Sequence, residues 1–233
     1  MKRIFIPTRT GSDWQRLLAK PKLHWKKGAS AMTAAAAWED AAGELPPEIR
    51  ALLSATSESS LANLELVAAL PEWKVSLPGG ETRSATDVLA VCRNNVGLCV
   101  VAVEAKVLED FGPMVSEKRA STSDGQAVRL DFLHKLLQVP RFSDQIRYQL
   151  LHRTASAILT AQEFHAASAV MLVQAFDTPS DRRTDFEAFC AEMKMIRVGA
   201  AVYKAPNFRA PTLFLAWCDG NSKYRNVELP SVA

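Results

Sequence analysis

The stretch DVLAVCRNNVGLCVVAVEAK, residues 87–106, predicts a β-hairpin around which the other elements are arranged. Two runs rich in Val, Leu and Cys flank residues 94–97, where Asn and Gly tolerate the left-handed backbone of a tight turn. With the turn centred there, Asp87 lies opposite Glu104, and directly opposed Cβ atoms are roughly 5 Å apart. Two like charges at that distance repel each other. A bound cation, a shared proton or a neighbouring base must therefore offset the repulsion.

Lys106 is the nearest candidate for that base, because strand side chains alternate and Lys106 shares a sheet face with Glu104. An acid two residues before a lysine also occurs at 72–74 and at 192–194. The triplet 192–194 falls in a predicted helix, where residues two apart do not share a face. Glu72 follows a proline at the start of a strand, and no opposing carboxylate is expected within its reach. We therefore select the Glu104 triplet as the candidate site.

A third carboxylate, Glu65, lies in a predicted helix at 59–70. Its neighbours on the helical wheel are largely apolar, so its carboxylate would leave the helix through a surface where an unpaired charge is costly. Glu65 either points toward Asp87 and Glu104, or reaches solvent or a nearby Arg. In the first case the three acids form an oxygen-rich cage suited to Mg²⁺ or Mn²⁺.

A long predicted helix, 143–164, has one apolar and one polar face. The polar face contains amide, imidazole and guanidinium groups, which can hold phosphates or orient a water molecule. Its residues are Gln145, Gln149, His152, Arg153 and Ser156. A plain solvated helix face is the alternative interpretation.

The order of predicted elements indicates an α/β fold with a mixed sheet. Helices come first, then three strands that include the hairpin, then helices and a strand, and finally additional C-terminal elements. After the hairpin, the predicted helices are 128–137, 143–164 and 185–195, and the predicted strands are 169–175, 200–204 and 212–217.

The N-terminal segment differs from the rest in charge. Residues 1–28 hold eight Lys or Arg and one acid, whereas the whole chain of 233 residues has a net charge of +3. Such a segment is compatible with a polyanion partner or with a solvated basic surface. We therefore divide the chain into a basic, helical extension at 1–55 and an α/β domain at 56–233, which together form one compact unit.

The sequence also bears on the compartment of the protein. No apolar run approaches the ~20 residues that span a bilayer, and the N-terminus lacks the apolar core of a secretory signal. We therefore expect a cytoplasmic protein with no membrane partner. The four cysteines form no CxxC pair and lie in apolar runs, so we expect free, buried thiols.

A helix, three strands bearing Asp87 and Glu104-x-Lys106, a helix and a strand together resemble the core of the PD-(D/E)XK, or restriction-endonuclease-like, superfamily. The resemblance covers residues 59–175 and implies an α-β-β-β-α-β core with an N-terminal helical extension and additional C-terminal strands. Thr86 stands where the superfamily motif usually has proline. The whole chain also resembles a bacterial family of uncharacterised function, through phrases such as HWKKGASA, PPEIRALL and RYQLLHRTASAI.

The resemblance implies a Mg²⁺-dependent or Mn²⁺-dependent nuclease that hydrolyses the phosphodiester bonds of DNA. Asp87, Glu104 and Glu65 would be the metal ligands. Lys106 would orient the attacking water or stabilise charge on the phosphate, and Gln149 would be the polar residue contributed by the second core helix.

Three further residues, Arg147, His152 and Arg153, would contact the nucleic-acid backbone together with the basic N-terminal segment. Two alternatives remain open. One is a non-catalytic member of the same fold that binds nucleic acid or a partner protein, and a homodimer is compatible with either activity. The other is a structural or regulatory protein in which Asp87 and Glu104 form only salt bridges.

Overall fold

A computed structural model describes residues 11–120 and 123–231 as a seven-stranded sheet with helices on both faces. The strands are β1 (Glu65–Val75), β2 (Ser84–Asn94), β3 (Gly97–Lys106), β4 (Ser168–Ala175), β5 (Ile196–Arg197), β6 (Val202–Lys204) and β7 (Thr212–Asp219). The helices are α1 (Pro21–His24), α2 (Ser30–Asp40), α3 (Pro47–Ser54), α4 (Val115–Arg119), α5 (Asp124–Leu136), α6 (Tyr148–Glu163) and α7 (Ser180–Glu192). Two 3₁₀ helices, Gly11–Leu17 and Ser222–Asn226, lie near the ends of the chain.

The sheet is mixed, with the strand order β1-β2-β3-β4-β7-β6-β5. Strands β1, β2 and β3 are antiparallel, whereas β3, β4 and β7 run parallel to one another. Parallel neighbours need a crossover connection, which α4, α5 and α6 supply between β3 and β4. The predicted α/β class with a mixed sheet is therefore confirmed.

Side chains of β2 alternate between two hydrophobic cores, one on each face of the sheet. Leu89 packs into the core that contains side chains of α5, α6 and α7, whereas Val88 packs into the core that contains side chains of α2 and α3. Trp38 of α2 is buried and donates its Nε1–H to Oε1 of Gln174 in β4 at 3.1 Å. The helices of the predicted N-terminal extension thus form one of the two layers that cover the sheet.

The hairpin of β2 and β3 has the predicted register. Asn94 pairs with Gly97 beside the turn, and the ladder continues to the pair Val88 and Val103. Asp87 and Glu104 therefore come next to each other, one position beyond the last pair of this ladder. The Oδ2 atom of Asp87 accepts the backbone N–H of Ala105 at 2.7 Å, which fixes this end of the hairpin.

The helix predicted at 59–70 is wrong, because residues 59–63 form turns and residues 65–70 form the first part of β1. Its Leu, Ala and Glu residues favour a helix in isolation, but pairing with β2 overrides that weak preference. Pro71 lies inside the strand and is tolerated because β1 is at the edge of the sheet, where one side of the backbone needs no ladder partner.

Three further predictions concern the cysteines, membrane-spanning helices and the basic N-terminal segment. All four cysteines are free and buried, as expected. None of the helices formed by residues 11–120 and 123–231 combines the length and apolar character that a membrane crossing needs. The first ten residues of the predicted basic segment lie outside the described residues.

The loop between β1 and β2 is fastened to α5 by a close approach of two backbones. Gly79 has a φ of +85°, and a Cβ atom at this position would lie 2.0 Å from the carbonyl oxygen of Gly125. Arg129 of α5 also donates hydrogen bonds to three carbonyl oxygens of the same loop. The loop leads directly into Ser84, the first residue of β2.

Gly79→Ala should lower the free energy of unfolding by about 3 kcal/mol or more, because the added Cβ would overlap backbone that cannot move aside. Gly112→Ala is the matched control: its φ is +67°, but apart from its two chain neighbours no described residue has an atom within 4 Å of the new Cβ. The control should cost only about 1 kcal/mol of backbone strain. Urea denaturation measures both values, and equal losses would contradict the proposed contact.

Candidate functional site

Three carboxylates form a row across the neighbouring strands β1, β2 and β3. Asp87 and Glu104 follow from the hairpin register. Glu72 lies between two residues of β1, Pro71 and Trp73, that pair with Val88 and Thr86 of β2, so it is level with Asp87. Three acids at neighbouring positions repel one another, so the positive charges around them decide how they ionise.

Glu104 is the most tightly held of the three acids. It is 4% exposed, and its Oε1 lies 2.9 Å from Nζ of Lys106. The same Oε1 accepts the Nε2–H of Gln149 at 2.8 Å, while Oε1 of Gln149 accepts from Nζ of Lys106 at 3.0 Å. Glu104, Lys106 and Gln149 thus form a closed triangle of contacts, and the structure brings together three residues that the sequence selected.

Arg153 binds the other oxygen of Glu104. Its Nε forms an ion pair with Oε2 of Glu104, and its Nη1 donates to Oγ of Ser84 at 3.0 Å. Burial opposes ionisation of Glu104, but the charges and hydrogen bonds of Arg153 and Lys106 outweigh burial and lower the pKa of this carboxyl below its ordinary value. Glu104 is therefore an anion with both oxygens engaged.

Glu72 is the third carboxylate of the site, and sequence reasoning missed it. It has a φ of +52°, is half-buried, and makes no hydrogen bond or salt bridge with the described residues. Burial, with a smaller contribution from the negative charge of Glu104, raises its pKa to about 7, although the positive charges of Arg153 and Lys74 act to lower it. The Glu-x-Lys triplet at 72–74 marks Glu72 in the sequence, but the predicted elements place no acid opposite it.

Asp87 lies between the other two acids. Burial raises its pKa well above the ordinary value, and the charges of Glu104 and Glu72 add to this effect, whereas Arg153 and Lys106 oppose it. Arg153 and Lys106, the two cations that lower the pKa of Asp87, are both already bound to Glu104. Glu72 and Asp87 are the acids that lack full compensation, so they are the groups that would gain most from an added cation.

Glu65 does not belong to this site, so its predicted place there is wrong. It begins β1, is exposed, and forms an ion pair with Arg93 at 3.2 Å. Glu72 is seven residue steps farther along the extended strand, a distance of roughly 23 Å at about 3.3 Å per residue. The alternative prediction, in which Glu65 pairs with a nearby Arg, agrees with the observed ion pair to Arg93.

The three residues predicted to contact a nucleic-acid backbone differ in whether their polar groups are already bound within the protein. Arg147 donates to Asp185 and to the carbonyl oxygen of Gly112, both at 2.8 Å, so its guanidinium is held within the protein. Arg153 is held by Glu104. His152 lines a pocket beside Lys106 and is the member of the three that faces open space.

The donor chemistry of the row fits a hard cation, since Mg²⁺ and Mn²⁺ prefer carboxylate and amide oxygens. The arrangement fits less closely: among residues 11–120 and 123–231, no group of three His, Cys, Asp or Glu side chains is arranged to hold a metal ion. Arg153 accounts for part of this result, because it already binds one oxygen of Glu104. Glu72 and Asp87 are therefore the carboxylates that fit a cation as the site stands.

Glu72→Gln should stabilise the protein more at about pH 8 than at about pH 5. The pKa of Glu72 is raised from 4.5 to about 7 in the folded protein, so its ionisation opposes folding as the pH rises through that interval. The amide removes this penalty, and the gain in unfolding free energy should grow by about 1 to 3 kcal/mol between the two pH values.

Glu65→Gln is the control for this measurement, because it removes the same charge from an exposed position on the same strand. Urea denaturation in the presence of a chelator gives both differences. A Glu72→Gln gain that is the same at both pH values would contradict the assigned environment of Glu72.

Comparison with known proteins identifies a family. No curated protein and no solved structure matches the chain. A family model described as "Domain of unknown function (DUF6946)" matches residues 7–222, which include every residue of the carboxylate row and its basic partners. The chain therefore belongs to the DUF6946 family.

Proposed function

We propose that the protein is a nuclease that hydrolyses phosphodiester bonds of DNA with Mg²⁺ or Mn²⁺. One observation carries the proposal: Asp87 and Glu104 lie side by side, one position beyond the last paired residues of β2 and β3, with Lys106 and Gln149 bound to Glu104. Three antiparallel strands followed by a strand parallel to β3 support the resemblance to restriction-endonuclease-like enzymes.

Hydrolysis of a phosphodiester needs an activated water, stabilisation of charge on the phosphoryl oxygens and help for the leaving group. Held by Asp87 and Glu72, with Glu104 beside them, Mg²⁺ would lower the pKa of bound water and withdraw charge from the phosphate. The protein's own contribution is to keep two cations, Lys106 and Arg153, fixed next to the acids. Because Glu104 and Gln149 hold Lys106 in place, its ammonium needs no reorganisation when a phosphate arrives.

A non-catalytic nucleic-acid-binding or protein-binding member of the same fold is the second candidate. The ion pair between Arg153 and Glu104 favours it, because a guanidinium there compensates the same negative charge that a metal ion would. In that case the carboxylate row has a structural role, and the basic surface alone contacts nucleic acid.

Purified protein with Mg²⁺ or Mn²⁺ should cleave at least one of linear, circular and single-stranded DNA. Asp87→Asn and Lys106→Met keep the side-chain volume and should each lower the rate by about 100-fold or more, since they remove a metal ligand and a charge beside the phosphate. Glu65→Gln should cleave like the wild type, because that residue is remote from the site. If the wild-type protein leaves every DNA and RNA substrate uncut, nuclease activity is ruled out.

Titration calorimetry with Mn²⁺ separates the two candidates. The nuclease should bind Mn²⁺, and Glu72→Gln should weaken this binding by about tenfold or more, while Glu65→Gln should leave it unchanged. The non-catalytic candidate instead predicts no heat of Mn²⁺ binding, together with DNA binding that weakens as salt rises. Equal Mn²⁺ affinity of the two Gln variants would remove Glu72 from the proposed site.

A further inference from the structure

A pocket of about 340 Å³ opens beside Lys106, between α4, α6 and the segment that follows β3. We call it the mouth pocket. The lining residues that carry polar groups are Lys106, Asp110, Lys118, Tyr148, Gln149 and His152. Lys106 and Gln149 belong to the carboxylate site, so the mouth pocket is continuous with that site.

Positive charge exceeds negative charge in the mouth pocket. Lys118 of α4 has no acidic partner among the described residues, and its Nζ lies 5.3 Å from the centre of the Tyr148 ring. Asp110 is the acid of the pocket, but Arg147 lies 3.7 Å away and the backbone N–H of Gly112 donates to it at 2.8 Å. An anion that enters the pocket therefore meets an ammonium group that no carboxylate in the described part of the chain neutralises.

A chain of hydrogen bonds determines which nitrogen of His152 carries the proton. Nη1 of Arg153 donates to Oγ of Ser84 at 3.0 Å, and the same Oγ lies 2.9 Å from Nδ1 of His152. A guanidinium only donates, so the hydroxyl proton of Ser84 remains free for Nδ1. If Nδ1 of His152 carried the proton instead, it would donate to Ser84, and the hydroxyl proton of Ser84 would have no acceptor among the described residues. Ser84 is only 5% exposed, so water would not readily replace that acceptor.

His152 is a neutral side chain with its proton on Nε2. Burial lowers its pKa to about 3, and the charges of Arg153, Arg129 and Lys118 act in the same direction, against Glu104. With Nδ1 engaged by Ser84, the free polar group of the ring is the Nε2–H, which forms no hydrogen bond with the described residues. The ring thus presents one fixed donor at a pocket that also contains the Lys118 ammonium.

We propose that the mouth pocket binds a phosphate group of a nucleic acid, held by the Nε2–H of His152 and the ammonium of Lys118, with Ser84 as the positioning residue that sets the tautomer of His152. This inference rests on the proposed function for the identity of the ligand, and it names the contact next to the cleaved phosphate. The phosphate is either an internal phosphodiester of the chain or a terminal phosphate. Both offer the same acceptor oxygens to an N–H donor and an ammonium.

Binding of short single-stranded oligonucleotides, measured with a chelator present, tests the proposal independently of cleavage. Lys118→Gln and His152→Leu should each weaken binding about tenfold, and Lys118→Gln should reduce the slope of log affinity against log salt by about 0.7. Lys194→Gln, which changes an exposed lysine without an acidic partner among the described residues, should bind like the wild type. His152→Gln keeps an N–H donor and should recover part of the affinity lost in His152→Leu.

Two oligonucleotides, one with a 5′-phosphate and one with a 5′-hydroxyl, distinguish the sources of the phosphate. A terminal subsite makes the affinity of the wild type depend on the 5′-phosphate, whereas an internal subsite makes both oligonucleotides bind alike and lose affinity together in Lys118→Gln. If Lys118→Gln and His152→Leu bind both oligonucleotides as tightly as the wild type, the phosphate site is excluded. Loss of affinity in these variants without any cleavage by the wild type would retain the site and exclude the nuclease.

Nitrogen-15 spectra of the imidazole test the role of Ser84. The wild type should show His152 neutral at neutral pH, with the proton on Nε2, and Ser84→Ala should produce exchange between the two tautomers. Ser84→Ala should also weaken oligonucleotide binding, by less than His152→Leu does, because the donor remains but is no longer fixed. A proton on Nδ1 in the wild type would overturn the proposed arrangement.

Discussion

The cost of burying the charge of Glu104 is the constraint on which the site depends. A buried carboxylate without partners is destabilising by several kcal/mol, so each of its oxygens must meet donors. Lys106 comes from the same strand, and Gln149 and Arg153 come from α6, where residues four apart share a face. The requirement therefore sets the rotation of α6 over the sheet: its polar stripe faces β3, while its apolar residues fill the core.

The sequence predicted the parts of the site that depend on local geometry. The register of β2 and β3 follows from the turn residues, and side-chain alternation then places Asp87, Glu104 and Lys106 together. Amphipathic periodicity identified the polar face of α6, and the resemblance to restriction-endonuclease-like enzymes singled out Gln149 on that face. The hairpin and the helix face could be predicted because each depends only on neighbours within one hairpin or one helix.

The remaining parts of the site depend on contacts between residues that are distant in the sequence. Glu72 joins the row only because β1 pairs with β2, and the composition of residues 59–70 favoured a helix there. The same error placed Glu65 at the site, although it lies at the opposite end of β1 beside Arg93. The bond between Ser84 and His152 joins positions 68 residues apart, and no pattern in the sequence marks it. The helices before β1 were expected to be an extension, yet Trp38 is buried against the sheet.

The unusual backbone of β1 at Pro71 and Glu72 also affects how the sheet meets other molecules. An edge strand offers unpaired N–H and C=O groups to any extended chain, and long regular edges invite aggregation. Proline removes one of those donors, and the left-handed conformation of Glu72 interrupts the regular spacing of the rest. At the other edge, β5 is only two residues long. The residue that completes the carboxylate row therefore also interrupts the edge along which a second copy could extend the sheet.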